Sequence, residues 1–284
     1  MIQRTLSTIV IWLLVVASVI IFGPQAGVWL LGILTILTQY ELYTLLEKAD
    51  FDPQKKLGCF LGLLIILGAW YLPKFSQIHF MDAGGDIFAV SVIVISLTVL
   101  IKPDFTEKRT RIMPTLFGLL LVPFMLHFYV LLVYHFDKLG LPNTGLFLAL
   151  WIVAVAKFTD VGGLLIGSLL GKHKLAAAIS PGKTWEGAIG GIVTASIVGG
   201  VMAFIMIRYL VMPVGFTTIY GMLIAIPIAL IAIASDLIES FIKRMAKVKD
   251  SGKMIPGIGG AFDLTDSLLL TAPCAFLIIK YTLF

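Results

Sequence analysis

Residues 217–238 read TTIYGMLIAIPIALIAIASDLI, with a single charged side chain, Asp236, near the end. A helix needs about 17–25 apolar residues to cross roughly 30 Å of hydrocarbon, so length and composition make this stretch a membrane span. Eight further runs share its character, at roughly 6–22, 28–46, 57–73, 86–101, 112–133, 144–171, 187–210 and 267–284, which gives about nine transmembrane helices. The composition agrees: 59% of the 284 residues are apolar and 13% charged, and the mean hydropathy is +1.03. A soluble domain carries about a quarter charged residues, so this chain lacks the polar surface to coat a water-soluble body. Soluble enzymes, fibrous proteins, disordered chains and secreted disulfide scaffolds are excluded.

Backbone groups in hydrocarbon must pair within the chain, so the expected fold is all-α, a polytopic integral membrane helical bundle. The first run has the length of a signal peptide but a poor cleavage site, and the spans behind it favour a retained anchor. The longest polar stretch, 239–266, is too short for a soluble domain. One membrane domain over 1–284 is therefore expected, with N-terminal spans in 1–143 and a catalytic half in 144–284 carrying cytoplasmic loops 172–187 and 239–266. Cys59 and Cys274 lie in apolar runs, form no metal-ligand pattern and read as packing residues.

Lysine and arginine set the orientation. With a cytoplasmic N-terminus and alternating spans, sixteen of the 21 fall inside and four outside, with Lys157 within a span. That asymmetry is the positive-inside pattern. Attraction to anionic lipid accounts for the charges at 47–57 and 102–111. The two C-terminal loops differ, because there the cations are mixed with glycine, proline, serine and acids.

Ionisable residues set well inside apolar runs include Glu41, Lys157, Asp160 and Asp236. Each costs several kcal/mol at the bilayer centre unless paired or near the interface. Lys157 and Asp160 share a helical face and can neutralise each other. Gly163, Gly167 and Gly171 follow at four-residue spacing, which suits close helix packing. Glu41 and Asp236 have no partner nearby in sequence, and Asp236 lies close to the basic loop.

Residues 180–187 read Ser-Pro-Gly-Lys-Thr-Trp-Glu-Gly. Gly182-Lys183-Thr184 suggests a phosphate-cradling Walker loop, but that motif wants glycine where this chain has Ala177, and a preceding strand. The remaining reading has Lys183 and Thr184 opening a helix whose N-terminal amides favour an anion, or Glu186 capping that helix end. In the second loop Asp263 and Asp266 are three apart at the start of the last span, so their carboxylates share a face. With Asp236 they make a set of hard oxygen ligands suited to Mg²⁺. Lys243, Arg244, Lys247, Lys249 and Lys253 repel a metal ion and fit a polyanion such as a nucleotide triphosphate or a lipid phosphate. A plain basic surface loop with helix-capping aspartates is the simpler alternative.

At these residues the chain resembles the phosphatidate cytidylyltransferase (CDP-diacylglycerol synthase) family of membrane enzymes. The pattern runs Ser240-x-Ile242-Lys243-Arg244, then Lys249-Asp250-x-Gly252, Ile255-Pro256-x-x-Gly259-Gly260, Asp263 and Asp266. The 180–187 stretch looks like the family's Ser-Pro-x-Lys-Thr-x-Glu-Gly, and Asp160 and Asp236 sit where the family has them. Three positions depart: Ile258, Leu264 and Ala261 stand where the family usually has histidine, arginine and a larger apolar residue.

The resemblance implies transfer from CTP to phosphatidate with Mg²⁺, and allows a monovalent cation beside it. Catalytic roles would fall to Asp263, Asp266 and Lys249, and metal binding to Asp236, Asp263 and Asp266. Ser180, Lys183, Thr184, Lys243, Arg244, Asp250, Gly259 and Gly260 would hold substrate. The expected partners are CTP, phosphatidate and membrane lipid, with no nucleic acid, and a homodimer is allowed. The expected location is a bacterial inner membrane with the site facing the cytoplasm. A paralogue using another lipid phosphate and a membrane transporter remain the alternatives at this point.

Overall fold

The start of each helix is written in its first residues. Pro24, with its φ preset and no N–H to lose, opens α1 (Pro24–Lys48) directly after Gly23 at φ 65°. α2 is Lys55–Phe75. Asp82 caps α3 (Ala83–Leu97), its carboxylate accepting from Gly85 N at 2.9 Å. α4 (Phe105–Leu119) continues through a wider π turn, Leu120–Phe124, into α5 (Met125–Lys138). Pro123 lies inside that turn, and the extra residue absorbs the hydrogen bond proline cannot make. Then follow α6 (Pro142–Leu170), strands β1 (Lys174–Ala176) and β2 (Ser180–Thr184), α7 (Trp185–Tyr209), α8 (Thr218–Met245), α9 (Ala261–Leu269) and α10 (Thr271–Leu283). The computed structural model describes residues 17–18, 21–75, 82–98, 105–252 and 259–283.

The protein is thus an all-α membrane fold, with one small hairpin among the described residues. Among the described residues seven helices are long and apolar enough to cross a membrane, counting Arg111–Lys138 and Ala261–Leu283 each as one. Of the expected run at 86–101, residues 86–97 fall in a 15-residue helix that starts at Ala83, and 99–101 lie outside the described residues. Most of the expected first span, 6–22, lies outside the described residues, as do Lys253 and Ile258 of the second loop.

Two boundaries shift in the C-terminal part. α8 runs on to Met245 where the apolar run ended at 238, and α9 starts at Ala261, so both ends of the expected 239–266 loop are helical. Hydropathy stops at the first charges, but nothing breaks the hydrogen-bond ladder there, and Lys243 and Arg244 suit the negative end of a helix dipole. α8 closes where Lys247 takes φ 55° and Val248 N donates back to Lys243 O at 3.0 Å.

The chain divides into two compact units. The first comprises residues 1–131 and 242–265. There α2 packs against α1, α3 and α4, around the buried side chains of Leu61, Ile65, Ile95 and Leu119. Several of its interior polar groups pair with one another, as hydrocarbon favours. Gln39 Nε2 donates to Tyr43 Oη (2.9 Å) and Gly58 O (3.0 Å), and Tyr43 Oη donates to Thr115 O (2.9 Å).

The second unit comprises residues 132–241 and 266–284, with α6 against α7 as its main contact. Glycines make that approach possible. A Cβ on Gly187 would meet Gly163 O at 2.8 Å, and one on Gly191 would meet Thr159 O at 2.6 Å. The four-residue glycine spacing therefore serves helix packing. Trp151 Nε1 donates to Gly199 O across the same pair at 2.9 Å.

Candidate active site

The loop at 172–187 is a short antiparallel hairpin, with Lys174 opposite Thr184 and Ala176 opposite Ser180. Glu186 closes its base. The carboxylate accepts from Lys172 N (3.1 Å) and His173 N (3.2 Å) and meets His173 Nδ1 at 2.6 Å, while Trp185 N donates to His173 O at 2.9 Å. The expectation that Lys183 opens a helix is thereby corrected: Lys183 lies in β2, and Thr184 is the N-cap, its hydroxyl accepting from Gly187 N at 3.1 Å. Glu186 caps the hairpin rather than the helix. Strand placement sends Lys183 Nζ to Asp236, 2.5 Å from Oδ2, and to within 3.4 Å of Ile233 O.

Asp236 therefore has a partner 53 positions away in sequence, which local spacing could not reveal. One turn further along α8, on the same face, lies Glu239, only 1% exposed. Asp266 of α9 completes a set in which one carboxylate oxygen from each of Asp236, Glu239 and Asp266 lies within 4.8 Å of the others. Lys157 sits beside it, with Nζ 3.0 Å from Asp266 Oδ1, 2.9 Å from Ser267 Oγ and 3.8 Å from Asp160 Oδ2. The Lys157–Asp160 pair read from sequence exists, but Asp266 is the closer carboxylate. Ser235 Oγ donates to the main-chain oxygen of Asp266, and Asp266 Oδ1 also accepts from Ser267 N at 2.6 Å.

Asp160, Asp236, Glu239 and Asp266 gather with Lys157 and Lys183. Hard oxygen donors set this close together are what a small divalent cation takes. Glu239 escaped the reading from sequence. Its signal was the three-residue step from Asp236 along one helix face.

Asp263 has different company. Its Oδ1 accepts from Lys243 Nζ at 2.9 Å, and its Oδ2 from Gly260 N at 2.8 Å and Ser251 N at 3.1 Å. Gly259, at φ 120°, has no room for a Cβ against that carboxylate. Arg244 Nη1 donates to Val248 O at 3.3 Å, and Lys249 and Asp250 are exposed. Ser180 is half-buried at the start of β2, Ala261 is buried, and Leu264 is half-buried. Glu41, without a partner in the sequence reading, accepts from Ser251 Oγ at 2.9 Å and Phe262 N at 3.0 Å.

Comparison with known proteins matches residues 2–282 to the model of the cytidylyltransferase family. A phosphatidate cytidylyltransferase of Haemophilus influenzae is 33% identical over 286 residues, covering 95% of this chain and 96% of the relative. The enzyme of that name from Bacillus subtilis is 32% identical over 224 residues, covering 77% of this chain and 78% of its own length. The one from Rickettsia bellii is 35% identical over 192 residues, covering 68% and 80%. With a match that spans nearly every residue, the chain belongs to the cytidylyltransferase family.

Proposed function

We propose that this chain transfers the cytidylyl group of CTP to phosphatidate, giving CDP-diacylglycerol and pyrophosphate. The observation that carries the reading is the carboxylate set Asp236, Glu239 and Asp266 beside Lys157 and Lys183, in a chain of this family. A phosphate oxygen of phosphatidate attacks the α-phosphorus of CTP. The bond from that phosphorus to the oxygen bridging the β-phosphorus breaks, and pyrophosphate leaves with the electron pair. A phosphate monoester has its second pKa near about 6 and is already anionic at neutral pH. No strong general base is needed, so the departure from histidine at Ile258 does not remove an essential proton acceptor. The demand is for positive charge at the α-phosphorus and on the leaving group.

Asp236, Glu239 and Asp266 are the residues that fit Mg²⁺, whose charge would neutralise the reacting phosphates. Asp160 and Lys157 set the charge behind Asp266. Lys183 is assigned to a nucleotide phosphate, and the family pattern assigns Lys243, Arg244 and Lys249 to substrate phosphates; Asp263, which that pattern would make a metal ligand, is assigned to holding the loop, because Lys243 and the amides of Ser251 and Gly260 occupy its carboxylate. CTP is cytosolic, and the lysine and arginine count supports a cytoplasmic side for the two loops, so the proposed site faces the cytoplasm from a bacterial inner membrane.

The test is purified protein in mixed micelles, given phosphatidate and CTP labelled at the α-phosphorus. Label should enter lipid only with Mg²⁺, with one pyrophosphate released per label. Label entering only with a different lipid phosphate would replace the acceptor, and no transfer to any lipid phosphate would overturn the reaction.

A further inference from the structure

A carboxylate inside an apolar helix is costly unless something holds it, and Glu41, 6% exposed in α1, is held by the segment that carries the family signature. Its Oε2 accepts from the hydroxyl of Ser251 (2.9 Å) and from the amide of Phe262 (3.0 Å). Phe262 is the second residue of α9, and the residue before that helix is Gly260, which has no side chain to cap it. Asp263 supplies one half of a capping box by reaching back to Gly260 N at 2.8 Å. Glu41, from a different helix, stands in for the missing cap side chain by accepting from the Phe262 amide, as a serine or threonine at the cap would ordinarily do.

The fit is close on every side. A Cβ on Gly252 or on Gly260 would overlap the Glu41 carboxylate. Thr38, one turn earlier on the same face of α1, meets Ala261 O at 3.3 Å and Thr265 Oγ1 at 3.2 Å. The residues Glu41 holds are those that hold Asp263, because Ser251 N and Gly260 N both donate to its carboxylate, which also receives Lys243 Nζ.

We infer that Glu41 is a positioning residue of the reaction: it caps α9 in trans and clasps Ser251, thereby fixing Asp263 and Lys243. It touches no substrate. The inference rests on cytidylyl transfer being the activity, and its test separates the two. Glu41→Ala removes the acceptor, whereas Glu41→Gln keeps an oxygen that can receive both donors. Amide hydrogen exchange at 251–252 and 259–263 should rise at least tenfold in Glu41→Ala while α6 and α7 stay protected, and kcat for label transfer should fall at least tenfold. Glu41→Gln should stay within about threefold of the parent on both readouts. Where Glu41→Ala does not accumulate, Ser251→Ala deletes only the hydroxyl and should move both readouts in the same direction.

Unchanged exchange in Glu41→Ala would overturn the clasp. Raised exchange with unchanged kcat would overturn the positioning role and leave cytidylyl transfer standing. A Glu41→Gln protein as defective as Glu41→Ala would overturn the hydrogen-bonding account. A parent protein that transfers no label would instead overturn the reaction reading, and this inference with it.

Discussion

Lys183 of the hairpin and Asp236 of α8 form an ion pair at 2.5 Å, so the strand that bears the lysine is tied to the helix that bears two of the three clustered carboxylates. If the ammonium turns to a nucleotide phosphate in the reaction, Lys183→Met should raise KM for CTP. Hydrogen bonds to charged groups contribute about 1.5–3 kcal/mol, which is about 10- to 100-fold in binding. Steady-state kinetics at saturating phosphatidate checks this. Loss of folded protein, with nucleotide affinity intact in what remains, would reduce Lys183 to a structural partner of Asp236.

Asparagine or glutamine keeps the shape of a carboxylate but removes the charge that holds a divalent ion. Asp236→Asn, Glu239→Gln and Asp266→Asn should each reduce Mg²⁺-dependent turnover by about 100-fold or more, with near-normal folded yield. Any pair combined should be little worse than one alone, because the residues act as a unit. Asp263→Asn should behave differently, lowering kcat at an unchanged Mg²⁺ requirement, since its carboxylate is occupied by Lys243 and two amides. A Mg²⁺ titration of the four variants decides. A raised requirement in Asp263→Asn would make that residue a ligand.

The α6–α7 contact depends on the absence of side chains. Gly191→Val would push a Cβ to 2.6 Å from Thr159 O, against backbone that cannot retreat cheaply. Overpacking of this kind costs about 1–3 kcal/mol or more, so a clear fall in Tm in detergent is expected. Gly182→Ala at the hairpin is the matched control, because nothing lies within 4 Å of its Cβ. Equal Tm values for the two variants would show that close packing there contributes nothing.

Asp82 provides a pH signature far along the chain from the C-terminal loops. Burial pushes its carboxyl up, but the hydrogen bond and charge of His127, with the amides of Gly85 and Gly84, outweigh this and hold it below the ordinary value. The folded protein therefore binds the Asp82 proton less tightly than the unfolded chain does. The resulting stability is present above about pH 4 and is lost as pH falls through the depressed value. Asp82→Asn should lower Tm at neutral pH and flatten its decline in acid. An identical acid limb in parent and variant would remove Asp82 from that balance.

The helical membrane fold was readable because bilayer thickness imposes a length that hydropathy displays directly. Asp236 and Asp266 were readable as carboxylates of one cluster, whereas Asp263, expected with them, is held by Lys243 and two amides instead. The company of Asp236 was not readable, because Lys183 reaches it from a strand whose pairing depends on main-chain geometry that the Ser-Pro-Gly run only hints at. The join between Glu41 and Ser251 spans 210 residues, and no periodicity carries information across that distance. Glu239 was hidden for another reason. The apolar run ends at Ile238, so the residue looked like loop, although the helix continues beneath it to Met245.

The hairpin between α6 and α7 also works as a waterline. A two-stranded ribbon leaves the outer edge of each strand without a neighbour, and such edges do not persist in hydrocarbon. Residues 174–184 must therefore sit above the acyl chains, wherever the bilayer settles on the rest of the molecule. Because Lys183 belongs to that ribbon and grips Asp236, the depth of α8 is pegged from above by a single side chain. The anionic face of the helix is moored within a lysine's reach of the aqueous phase, the level at which a lipid headgroup rides.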